Sequence, residues 1–420
     1  MPILPLLDRI AGLALLALPV ALLFTRAGAD ILVVATDCLF VVHLAWARSD
    51  AASWRSPAFV WPRAWWMWTI LASVVVLAFG IGPRAAHGAL QAVLSLRFLL
   101  LLAAMGWLLR TASARRGMAL MTAAAAAWIA LECWQQYLLG TDLWGWPRWG
   151  DGALTGPFRE PKAGPVLVLL LFPAMLPAVM ALLSRPSVAA RIAALLLAAF
   201  GVATMILIGQ RMPALLTVLG LLCCGVFLRR FRPVLLATLA LGALLLAALP
   251  LISPPTFAKL VVHFTAQMSD FGRSPYGQLY TRAVVMTLAH PWTGLGFDGF
   301  RAGCDLPQYR HGLPFLAHSG IPATDPAACS IHPHNHYLEA ATAGGLPGLL
   351  LFCAAVLAWL ATLARGLLTS PDARRVGLFT ATFLAFWPFA STSALLTLPN
   401  AGWVFLLLGW GLAEARYAGA

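Results

Sequence analysis

Three histidines stand at alternate positions in the run HPHNHYLEAATAGGLPG (332–348). Pro333 breaks regular structure ahead of a helical run predicted to begin near Asn335, which sets His334 at a helix N-terminus. The positive end of a helix favours a neutral imidazole. A neutral imidazole accepts a proton at neutral pH, so His334 is the candidate general base. Two other readings stand beside it. In an extended segment His332, His334 and His336 would share one side and bind zinc, although no strong cluster of further ligands accompanies them. Alternatively, His334 serves the fold alone. Asn335 has the side chain of a helix cap or orienting group. Glu339 either faces the site or pairs locally, and pairing is the expectation. Gly344, Gly345 and Gly348 would let this helix approach its neighbours closely.

A second signal is Arg211, in the turn GQRMP (209–213). A guanidinium is always charged and offers a planar fork of donors that matches phosphate. An arginine at a span end is also a common interfacial residue that snorkels to water. Arg282 lies in GQLYTRAVVMTLAH (277–290), where Leu279, Ala283, Val284 and Leu288 recur at helical spacing and predict an amphipathic helix. It points either to the same ligand or to solvent, and Arg273 is a rival for the task. Arg159 and Lys162, in GPFREPK (156–162), would meet a phosphate or a lipid headgroup. Trp144, Trp146 and Trp149 would stack on sugar rings or form an interfacial belt.

These residues must be held by a chain of 420 residues that is 61% hydrophobic and 10% charged, with mean hydropathy +0.84. So little polar surface cannot cover a soluble fold, and lipid is the solvent it needs. The segments 31–47, 233–252 and 346–364 are continuous apolar runs of spanning length, and a backbone in hydrocarbon must pair its own polar groups, so they are predicted to be helices. Spans are read near 10–25, 31–47, 65–82, 88–109, 117–136, 163–183, 191–209, 213–228, 233–252, 344–364, 376–396 and 401–415. The fold expected is an all-α polytopic membrane bundle of about twelve helices, with one long periplasmic loop carrying short amphipathic helices. Its divisions are nine spans over 1–252, the loop at 253–335, and three spans over 336–420. The first span lacks the basic start and small-residue cleavage site of a signal peptide and is expected to be retained. Asp37 and His43 lie inside a span, where polar side chains are costly, and are expected to pair within the bundle.

Net charge is +13. The arginines punctuate span ends instead of forming one basic domain, which argues against nucleic acid. Sixteen positive charges fall in one alternate set of loops (among them Arg48, Arg115 and Arg374) and six in the short loops of the other set, which include Arg159, Lys162 and Arg211. The positive-inside rule then puts both termini in the cytoplasm and 137–162, 209–213 and 253–335 outside. Six of the nine histidines lie in that last loop. Its two cysteines, Cys304 and Cys329, either pair in an oxidising compartment or remain free thiols. The scattered acids Asp270, Asp298, Asp305 and Asp325 include no carboxylate pair of the glycosidase kind. No inverted repeat of the transporter kind is visible.

The run His334-Asn335, nine residues, Gly345, two residues, Gly348 resembles the signature of the O-antigen ligase family, part of a superfamily with O-antigen polymerases and O-oligosaccharyltransferases. GQRMP, HPWTGLGFDGF (290–300) and GPFREPK resemble that family's further segments, so the likeness spans roughly residues 130–410. The resemblance implies an inverting, metal-independent glycosyltransferase of the bacterial inner membrane with a periplasmic active site and no cofactor. It would move O-antigen from undecaprenyl diphosphate to lipid A–core. It implies that His334 is catalytic and that Arg211, Arg282, Arg159 and Lys162 meet the diphosphate, with Asn335 and His336 in support. Two alternatives are carried beside it. One is a sister polymerase or protein O-oligosaccharyltransferase; the other is a transporter of lipid-linked glycan.

Overall fold

The computed structural model describes residues 3–47, 55–81, 84–313 and 329–417. Arg48, His318 and Asp325 lie outside them. Among the described residues every regular element is helical, with a single isolated bridge between Thr141 and Pro147. Among the described residues nine helices are long and apolar enough to cross a bilayer, running from Leu6–Phe24 to His336–Ala364. Their outward faces are apolar: Leu13, Leu120 and Leu350 are each about 70% exposed, a surface that suits lipid and not water.

The spans expected at 213–228, 376–396 and 401–415 fall on Arg211–Phe227, Ala373–Ala385 and Asn400–Tyr417, which are not among the nine. The largest departure is at 376–396. The helix there stops at Ala385, and 386–399 runs as irregular chain. Trp387-Pro388 accounts for the stop, since proline disfavours helix at the residue before it.

Local chemistry explains many helix ends. The side chains of Thr111, Ser187, Ser274 and Asp372 each accept a backbone N–H in the first turn that follows. At one end of the bundle Glu414 is shared by Arg115 at 3.2 Å and Arg374 at 3.1 Å, joining three helices. In the span Arg26–Ala45 the expected pairing within the bundle holds for His43 and not for Asp37. His43 reaches Asp8, 3.4 Å away, whereas both carboxylate oxygens of Asp37 are buried without a hydrogen-bond partner among the described residues. Residues 37 and 43 are six apart, so helical geometry sets them on different faces.

The described residues between Ser253 and Asn335 form short helices and one longer one, Pro275–Ala289. That helix packs against His336–Ala364, which in turn packs along Pro57–Ala78. Leu279, Ala283, Met286, Phe300 and Tyr309 make a small core of their own there.

Candidate active site

Asn335 caps the helix His336–Ala364 as its residue type suggests. Its Oδ1 accepts the N–H groups of Tyr337 at 3.0 Å and Leu338 at 3.1 Å, and its Nδ2 donates to the carbonyl of Pro388 at 2.7 Å. His334 lies one residue before the cap with φ of 54°, a left-handed conformation that a residue with a Cβ adopts at a cost. Its carbonyl accepts Thr392 N–H at 2.8 Å. The ring is fixed by the same residue: Nδ1 lies 3.2 Å from the Thr392 carbonyl. A carbonyl only accepts, so Nδ1 carries the proton and Nε2 the lone pair. Nε2 is 3.5 Å from Ser330 Oγ, and the ring meets Tyr276 edge-on at 5.4 Å.

The irregular chain after Ala385 is therefore a cradle for the motif. Besides holding His334 and Asn335, it takes His336 Nε2 at the Ser393 carbonyl (3.1 Å), Tyr337 hydroxyl at the Phe386 carbonyl (2.7 Å), and Glu339 Oε2 from Leu395 N–H (3.1 Å). Glu339 thus pairs with a backbone amide of the cradle, and among the described residues no salt bridge engages it. Burial, with His332 close by, pushes the His334 pKa down to about 4 against the hydrogen bond to Thr392. Burial lowers that of His332 as well. The imidazole of His334 is neutral at pH 7 for these reasons, to which its place outside the capped helix end contributes the expected sign. The rings of His332 and His334 stand perpendicular with centroids 4.1 Å apart, and His336 turns to Ser393. Among the described residues no three His, Cys, Asp or Glu side chains are grouped so as to hold a metal ion.

Behind the motif two glycine segments interlock. Gly345 has φ of 66° and kinks the helix, and a Cβ there would meet the Pro291 carbonyl oxygen at 2.5 Å. Gly294 has φ of 61°, and its Cβ would meet the Thr342 carbonyl oxygen at 2.5 Å. The contact is backbone to backbone: Leu346 N–H donates to Pro291 at 2.7 Å and Leu295 N–H to Thr342 at 2.8 Å. Ser73 Oγ accepts Phe297 N–H at 2.8 Å, and Trp68 Nε1 donates to the Gly344 carbonyl at 2.8 Å, binding the interlock to Pro57–Ala78.

Arg211 opens its helix at the end of the bundle that also carries 148–164 and 253–269. Its Nε donates to the Lys259 carbonyl at 2.9 Å and its Nη1 to Gln267. Gln210 donates to the Pro161 carbonyl and accepts Gly164 N–H at 2.9 Å, and Lys259 pairs with Asp151. The hydrogen bonds of Arg211 thus go to 258–269, and those of His334 to Thr392 and Ser330. Arg282 is 1% exposed and donates to the Cys304 carbonyl at 2.9 Å, inside the core of the loop region. Arg273 is exposed beside Asp270. Arg159 and Lys162 line a groove with Trp144 and Trp146, in which Arg211 takes no part. Cys304 and Cys329 form a disulfide with Cα atoms 5.6 Å apart, which ties Arg282's partner to the segment leading into Ser330 and His334.

Sequence reading missed the cradle, Ser330, Tyr276, Gln210, Gln267 and Lys259. Gln210 lies inside GQRMP and Tyr276 directly before GQLYTRAVVMTLAH, both already singled out. Those in the cradle left no side-chain signal, since it acts through backbone groups. Residues 170–353 match the family model described as O-Antigen ligase, a span that contains Arg211, the 290–300 segment, His334 and Gly345 but neither Arg159, Lys162 nor the cradle. No curated protein matches the chain.

Proposed function

We propose, on the premise that residues 170–353 belong to the O-antigen ligase family, that this multi-pass membrane protein is an O-antigen ligase. It transfers a glycan from undecaprenyl diphosphate to lipid A–core. The reading takes twelve crossings, both termini in the cytoplasm, and a site on the periplasmic face of the inner membrane. It rests above all on one observation: His334 has its Nδ1 committed to Thr392, which leaves the Nε2 lone pair as the base.

The acceptor hydroxyl attacks the anomeric carbon as the bond to the diphosphate oxygen breaks. The hydroxyl proton passes to His334 Nε2, and the diphosphate leaves with its electron pair. In-line attack inverts the anomeric centre. A histidine with a low pKa suits a late proton transfer, because the hydroxyl becomes strongly acidic only as its bond to an oxocarbenium-like carbon forms. Arg211 meets the charge that grows on the leaving diphosphate, held in place by Lys259 and Gln267. Arg282 supports this from within the loop core, by ordering the backbone at Cys304. Asn335 and His336 keep the helix start in register with the cradle.

The test is transfer by purified protein from lipid-linked glycan to lipid A–core, with chelator present. Transfer that survives chelation and is lost in His334→Ala supports the reading. Transfer lost on chelation alone would move His332, His334 and His336 to a metal site. Polymer growth on the donor lipid without transfer to lipid A–core would make the chain the sister polymerase. Binding without any bond exchange would make it a transporter.

A further inference from the structure

A groove of about 530 Å³ opens between the turn at Leu22–Arg26, the tryptophan loop, the 157–162 segment and Pro399. Its floor is apolar, with Leu22, Leu23 and Phe158 buried beneath it. Its rim carries Arg26, Arg159 and Lys162. One carboxylate stands among them, Glu160, and Lys162 is bonded to it at 2.6 Å. That bond, with the charges of Lys162 and Arg26, holds the Glu160 carboxyl below the usual range, so it stays ionised and cancels one cation only. Arg159 lies over the Trp146 ring at 5.0 Å, and among the described residues no salt bridge within 4 Å engages Arg26 or Arg159. Trp144 and Trp146 remain 62% and 42% exposed.

A soluble anion would gain nothing from the apolar floor, and a neutral lipid would gain nothing from the rim. Both are used by a molecule with a phosphate at one end and a hydrocarbon tail at the other. We propose that this groove binds the phosphate-bearing headgroup of a membrane amphiphile, at a site distinct from the His334 centre. The separation is structural. The 157–164 segment presents Arg159 and Lys162 to the groove, while its Pro161 carbonyl and Gly164 N–H are taken by Gln210, beside Arg211. Two anionic ligands are thereby received by the two sides of one short segment. The assignment does not rest on glycosyl transfer and stands or falls by binding.

The experiment uses the full chain in detergent, with ligand retention read by native mass spectrometry against phosphatidylglycerol, phosphatidylcholine and inorganic phosphate. Phosphatidylglycerol is retained in preference to both. Each charge removed weakens that binding about fivefold at low salt, so Arg26→Gln loses about fivefold and the double variant with Arg159→Gln roughly 30-fold. Arg26→Lys with Arg159→Lys restores most of it. Arg26 lies at an exposed turn, so the single variant reports even where the double variant does not fold. Equal retention of phosphatidylglycerol by wild type and Arg26→Gln overturns the proposal, as does inorganic phosphate binding as tightly as the lipid.

Discussion

Replacing His334 by asparagine separates its chemistry from its place in the fold. The left-handed backbone at φ 54° costs an ordinary residue about 1–2 kcal/mol, and asparagine is among the residues that bear it best. Against this gain stands the bond from Nδ1 to Thr392, worth about 1 kcal/mol. The net change in stability is therefore close to zero, within about 1 kcal/mol. Catalysis behaves differently. Asparagine cannot take a proton, and loss of a general base lowers the rate about 10²–10⁴-fold. His334→Asn is expected to keep the wild-type thermal midpoint in detergent while single-turnover transfer falls by that factor. The pH profile adds an independent check. With the folded pKa near 4 and the ordinary value at 6.5, the unfolded chain binds more protons between those limits. The His334 contribution to wild-type stability thus declines as pH falls from 6.5 towards 4, by about 3 kcal/mol, and is flat above 6.5. Transfer stays on its plateau down to about pH 5. A variant that unfolds, or one that retains more than a tenth of wild-type transfer, refutes the assignment. So does a wild-type rate that falls with an apparent pKa near 6.5.

Arg211→Lys keeps a charge but loses the planar fork, and transfer is expected to fall about 100-fold with little change in thermal midpoint; equal rates would remove Arg211 from the site. Asn335→Ala removes the cap and the bond to Pro388, and a loss of about 2 kcal/mol should appear as a lower thermal midpoint together with weaker transfer. Gly345→Ala places a Cβ 2.5 Å from the Pro291 oxygen at φ 66°, so a loss of at least about 2 kcal/mol is expected, seen as a poor yield of folded protein. Alkylation of the denatured, unreduced chain should label five cysteines, and seven after reduction; seven at once would exclude the disulfide between Cys304 and Cys329.

Hydropathy made the bundle legible, because the solvent demands long apolar helices and the chain has few charges with which to confuse them. It was least informative at 376–396. There an apolar run continues past Ala385, and only Trp387-Pro388 signals that the helix has ended. Arg282 shows a different limit. Its spacing of three from Leu279 already set it near the buried face of the Pro275–Ala289 helix, but a charge invites an outward reading until a carbonyl such as that of Cys304 is seen to receive it. Of the two polar residues expected to pair within the bundle, His43 does so with Asp8 from another helix, a partner that sequence spacing could not name, and Asp37 is left without a hydrogen-bond partner among the described residues.

The motif from His334 to Gly348 works as one rigid piece because it is fixed at both ends by different means. At its start, side chains of the motif bond to backbone groups of 386–395. At its kink, backbone bonds to backbone across Gly294 and Gly345, where a Cβ on either side would push the strands of chain apart. The second arrangement constrains sequence tightly and leaves glycines that can be read. The first constrains only the motif, since Pro388, Thr392, Ser393 and Leu395 contribute main-chain atoms that nearly any residue could supply. A strained histidine is tolerable in such a setting, because the carbonyl and ring of His334 are both held by Thr392 and the cost is spread over supports that the helix and cradle already provide.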